Sequence, residues 1–88
     1  MEDILKKAEK CAKDLGVVAG TWYVVKSVPV EEDGLSGYFL MTPQPYCDDV
    51  ILIDIEKKST YYANTNRFLF FAILGVVRDG KADKKVWT

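Results

Sequence analysis

The chain has 88 residues, 49% hydrophobic and 12% aromatic, with a formal net charge of −1 and no histidine. Such a composition describes one small globular domain, residues 1–88, and excludes a disordered segment. The even charge balance excludes the Lys and Arg clusters of a nucleic-acid binder, and the missing histidine removes the commonest general base and metal ligand.

Residues 3–15 carry the clearest periodicity. Ile4, Leu5, Ala8, Cys11, Ala12 and Leu15 form one apolar stripe at helical spacing, opposite Lys6, Lys7, Glu9, Lys10, Lys13 and Asp14. Glu2 and Asp3 suit the positive end of a helix dipole, Glu2–Lys6, Asp3–Lys7 and Glu9–Lys13 are ordered i,i+4 pairs, and Gly16 is a stop. The spacing predicts an amphipathic helix.

Everything after Gly16 reads as strand and turn. Residues 17–28 are rich in β-branched and aromatic types and end at Pro29. Glu31–Gly34 predicts a turn into a strand over 37–42, and Pro43–Asp49 a loop whose prolines deny it ladder donors. Strands follow over 50–55 and 60–63, then a turn at 64–66. The ten-residue run Phe68–Val77 is apolar at both parities, so as a strand it needs cover on both faces. Arg78-Asp79-Gly80-Lys81 predicts a hairpin turn and Lys84–Trp87 a last short strand. The expected fold is α+β: an N-terminal amphipathic helix packed on a curled antiparallel β-meander of five to six strands, with Phe68–Val77 central.

Phe68–Val77 is about half the roughly 20 residues of a membrane-spanning helix, and the N-terminus lacks the basic and apolar regions of a secretory signal. The chain therefore reads as cytoplasmic, with Cys11 and Cys47 reduced; a Cys11–Cys47 disulfide is the alternative.

Candidate chemistry is sparse. Cys47 lies beside Asp48 and Asp49, whose carboxylates suppress a thiolate, and Cys11 falls on the helix stripe. Asp48, Asp49 and Asp54 lack the spacing of a cation loop and read as turn formers, so neither a metal nor another cofactor is expected. Lys26 and Asp54 are charges within strands, and either one facing the concave side of the sheet would be an acid/base candidate. The Pro43-Gln44-Pro45-Tyr46 loop, rooted at Met41, is a rigid mount for an aromatic contact. Tyr61-Tyr62 puts one ring on each face of its strand.

The segment Val18-Ala19-Gly20-Thr21-Trp22-Tyr23 resembles the Gly-x-Trp first-strand signature of the lipocalins, over six residues of the chain. The resemblance implies a Trp22 that closes one end of an eight-stranded barrel around a small apolar ligand, with Arg67 or Arg78 packed on it. The family's later Thr-Asp-Tyr-type motif has only Ile53-Asp54-Ile55 in its place, and the chain is too short for eight barrel strands.

These readings point to a non-catalytic protein-binding module, an adaptor or inhibitor of a larger complex. It would self-associate through an uncovered sheet face, with Tyr46, Tyr61, Tyr62, Phe71 and Trp87 as contacts. The partner is a protein or a second copy, not nucleic acid or membrane. Small acidic chains of this kind are frequent among phage and mobile-element accessory proteins. The alternatives are a half-barrel binding a small apolar ligand and a small isomerase or hydrolase using Asp54.

Overall fold

The computed structural model describes residues 2–16, 20–28, 36–44, 49–64 and 70–84. Helix α1 spans Glu2–Leu15. Six strands follow: β1 Thr21–Val28, β2 Gly37–Pro43, β3 Asp49–Asp54, β4 Thr60–Asn64, β5 Phe70–Arg78 and β6 Lys81–Asp83. They form one open antiparallel sheet in the order β4-β3-β2-β1-β5-β6, and α1 packs on one of its faces. The α+β class is as expected. The expected turn at 31–34, the Pro45–Asp48 part of the loop and the turn at 64–66 fall wholly or partly outside the described residues.

The helix forms as its stripe dictates. Leu5, Ala8, Cys11 and Ala12 are buried against Val24, Leu40, Ile53 and Val77 of the sheet and Ile55 just beyond β3, with Ile4, Trp22, Leu74 and Ala82 at the margin. Gly16 ends the helix at φ 75°, its N–H donating to the Lys13 carbonyl at 3.2 Å. The Glu9–Lys13 pair forms, at 3.2 Å.

The strand order corrects the expected meander. β1 to β4 do meander, each strand pairing with the one before. β5 then pairs with the free edge of β1 and not with β4. β1 and β2 are therefore central, β5 lies one strand in from the edge, and β4 becomes an outer edge. An apolar strand gains more from a partner that completes a buried sheet centre than from its sequence neighbour at the rim, and local pattern does not encode that choice.

A β-bulge interrupts the alternation of the long run. Val24 lies opposite Gly75 and Val25 opposite Ile73, so Leu74 is the extra residue on β5. The bulge switches the parity, and Leu74 joins the helix-side core beside Gly75 and Val77. Gly75 is required by close approach: a Cβ there would lie 2.6 Å from Leu5 Cδ2 and 2.6 Å from the Asp83 carbonyl oxygen. The glycine lets α1, β5 and β6 meet.

The Asp-Gly signal forms a tight hairpin. Asp79 and Gly80 adopt φ of 50° and 81°, and Arg78 pairs directly with Lys81. The last strand therefore begins at Lys81 and not at Lys84, because a two-residue loop pairs its flanking residues at once; residues 85–88 lie outside those described.

The face opposite the helix has its own core of Val25, Phe39, Val50, Leu52 and Ala63, with Tyr23, Met41 and Tyr61 packed against it. Val25 is 0% exposed and Phe39 1%. The centre of the face expected to be uncovered is therefore closed to solvent.

Candidate interaction surface

The β3–β4 hairpin organises one side of the molecule. The Asp54 carboxylate Oδ1 accepts the backbone N–H groups of Glu56 and Lys57, both at 2.9 Å, which shapes the turn. Lys58 closes that turn at φ 59°, and its N–H donates to the Asp54 carbonyl at 2.7 Å. Its ammonium reaches Asp14 near the end of α1 at 2.8 Å. That hydrogen bond lowers the Asp14 pKa and raises that of Lys58. Both groups are substantially exposed, so the pair fixes geometry more than it adds stability.

On β4 the two tyrosines separate as alternation requires. Tyr61 is half-buried on the face opposite the helix, its ring edge-on to Phe39 with centroids 6.4 Å apart. Tyr62 points the other way, opposite half-buried Ile51 in the ladder, and is 70% exposed. Ile73 on β5 is 45% exposed, at the register of Val25. Phe71 pairs through its backbone with Ser27; its side chain, like Tyr46 and Trp87, lies outside the described residues. The structure thus brings Tyr61 and Tyr62 together on one strand and places Phe71 on another.

The two sheet edges differ. β6 is three residues long and carries Lys81 and Asp83, and the Ala82 N–H donates to the Glu9 carboxylate at 2.9 Å. β4 runs Thr-Tyr-Tyr-Ala-Asn with no charge and no proline, and Thr60 and Tyr62 are exposed. The Glu9 contact has no signal in the sequence, since Glu9 sits on the polar helix face like any solvated carboxylate.

A cavity of about 380 Å³ opens between the start of α1 and the sheet. Its wall combines Asp3, Lys7, Lys26 and Glu56 with Ile4, Tyr38 and Leu74. Lys26 is exposed and lies 5.9 Å from the centre of the Tyr38 ring, a cation–π contact that accounts for a lysine inside a strand. Four charged groups of mixed sign do not suit an apolar ligand. Trp22 is half-buried against the helix-side core of a sheet that stays open, so the barrel implied by the lipocalin resemblance is not formed. Gly20, at φ 82°, is the strand entry, and its carbonyl accepts the Asp79 N–H at 3.2 Å.

Cys11 is a buried free thiol in the helix-side core whose pKa is raised by desolvation. Cys47 and Asp48 lie outside the described residues. Among the described residues no three Cys, Asp or Glu side chains gather closely enough to hold a metal ion, and no helix is long and apolar enough to cross a membrane. Comparison with protein-family models, curated proteins and solved structures finds no match to this chain.

Proposed function

We propose that this chain is a small non-catalytic protein-binding module, an adaptor or inhibitor of a larger complex, whose contact surface is the β4 side of the sheet around Tyr62 and Tyr61. The observation that carries the reading is Tyr62: a large aromatic side chain, 70% exposed, in the middle of an uncharged edge strand. Aromatic side chains with one or two rotors are the usual anchors of protein interfaces, because they contribute much area for little lost entropy. The hairpin beneath Tyr62 is held by the Asp54 turn and the Lys58–Asp14 contact, so the anchor is presented from a fixed frame. The same turn gives Asp54 a structural task, which weakens the isomerase or hydrolase alternative. The mixed charge of the cavity wall weakens the apolar-ligand alternative.

Affinity capture from the native host with the wild-type chain and with Tyr62→Ala tests the proposal. A partner retained by wild type and lost by a Tyr62→Ala variant of unchanged circular dichroism and melting temperature is the expected result. Truncation at so exposed a site shifts stability by about 0.5 kcal/mol or less. Identical captured sets from the two folded proteins would remove the reading.

A further inference from the structure

We infer that the β4 edge pairs with the β4 edge of a second copy of this chain, joining two sheets into one across a two-fold axis at Tyr61. The inference rests on the reading of the β4 side as a protein-binding surface, and it adds a second copy held by the backbone edge alongside the partner held by the Tyr62 ring.

The hydrogen-bond alternation of the hairpin sets the geometry. Asp54 N–H donates to the Ser59 carbonyl at 2.9 Å, which makes Asp54 and Ser59 a hydrogen-bonded pair. Such pairs alternate along an antiparallel ladder, so Leu52 and Tyr61 are the next one. Thr60 and Tyr62 then turn their N–H and C=O groups away from β3, toward the outside of the sheet. No described strand lies beyond them.

An outer row of backbone donors and acceptors is complementary to another extended strand, and proteins that avoid such pairing blunt the edge. Among the described residues this sheet blunts only one of its two edges. β6 is short and charged, and the Glu9 carboxylate takes its Ala82 N–H. Thr60–Asn64 has no charge, no proline and an unbroken register with β3.

A second copy supplies a matching strand. With antiparallel β4 strands related by a two-fold axis at Tyr61, Thr60 of each copy faces Tyr62 of the other. Their outward N–H and C=O groups form two hydrogen-bonded pairs. Tyr61 meets the partner's Tyr61 as a non-hydrogen-bonded pair, where Cα atoms approach to about 4.5 Å and side chains are closest. Tyr61 already packs edge-on against Phe39, so the new aromatic pair extends the second-face core across the axis. Neither strand carries a charge to oppose its copy.

Sedimentation equilibrium over the micromolar range tests the pairing, with wild type, Tyr62→Ala and Tyr62→Pro. Wild type is expected at twice the monomer mass. Tyr62→Ala is expected to remain dimeric because its backbone is unchanged. Tyr62→Pro is expected to be monomeric with unaltered circular dichroism, because the N–H it lacks points away from β3. Amide exchange of the wild-type chain gives a second readout that needs no variant: the Thr60 and Tyr62 amides should gain protection as concentration rises. A wild-type monomer throughout, a folded Tyr62→Pro dimer, or Thr60 and Tyr62 amides whose exchange ignores concentration would each overturn the inference. A wild-type monomer whose partner capture still depends on Tyr62 would sink the pairing and leave the binding module standing. A dimer whose captured set is indifferent to Tyr62→Ala would do the reverse.

Discussion

The Glu9 carboxylate accepts the Ala82 backbone N–H at 2.9 Å through one oxygen and holds the Lys13 ammonium at 3.2 Å through the other. One side chain thus ties α1 to the outermost strand and occupies an edge donor that would otherwise face solvent. The helix is held to the sheet by its apolar stripe and by this polar clamp.

The clamp predicts a pH dependence. The Ala82 hydrogen bond, followed by Lys13, holds the Glu9 carboxyl below its ordinary value of 4.5. A carboxylate with a lowered folded-state pKa contributes stability above its unfolded value and loses it as pH falls through the folded value. Glu9→Gln should therefore melt below wild type at neutral pH, and the gap should close as pH falls below 4.5. Thermal melts of the two proteins across the acid range measure it; a gap independent of pH would argue against the clamp.

Gly75→Ala should destabilise the fold by roughly 1–3 kcal/mol, the usual cost of forcing atoms into a packed site. The added methyl would lie 2.6 Å from both Leu5 Cδ2 and the Asp83 carbonyl oxygen, and the backbone oxygen has little freedom to yield. Urea denaturation is the measurement. Pairing the change with Leu5→Ala should recover part of the overlap, so the double variant should be more stable than the sum of the single losses.

Phe39→Ala should cost about 3–5 kcal/mol, the range for a fully buried phenylalanine. The side chain is 1% exposed on the face opposite the helix and supports Tyr61. A domain of ordinary stability has about 5–15 kcal/mol in all, so the variant should be marginally folded at room temperature. A loss under about 1 kcal/mol would show that the second face is not a true core.

Asp54→Asn and Asp54→Ala should separate. Asn retains an oxygen able to accept the Glu56 and Lys57 N–H groups, whereas Ala leaves both without their acceptor. The expected losses are small for Asn and about 1 kcal/mol or more for Ala, read by chemical denaturation. Equal losses would mean that the turn does not depend on those bonds.

Several features are legible in the residues alone. The α1 stripe, the Gly16 stop, the Asp79-Gly80 hairpin and the strands that became β1 to β4 follow from periodicity and turn chemistry, which act over a few neighbouring residues. The uncharged run Thr60–Asn64 was also visible, but nothing in it marked an outer edge. The long apolar run was the clearest sign of something unresolved by local pattern, since neither parity was polar.

Tertiary structure decided the rest. Whether β5 pairs with β4 or with β1 depends on which placement buries more of both faces, a comparison between distant parts of the chain. That one choice made β4 an outer strand of the sheet. The bulge at Leu74 and the contact of Gly75 with Leu5 depend on where α1 lands, and the Glu9 clamp exists only once β6 lies beside the helix. Local periodicity therefore determined the elements and their inward faces. Their neighbours, and so which strand lies at the edge of the sheet, came from long-range packing that no short window of sequence contains.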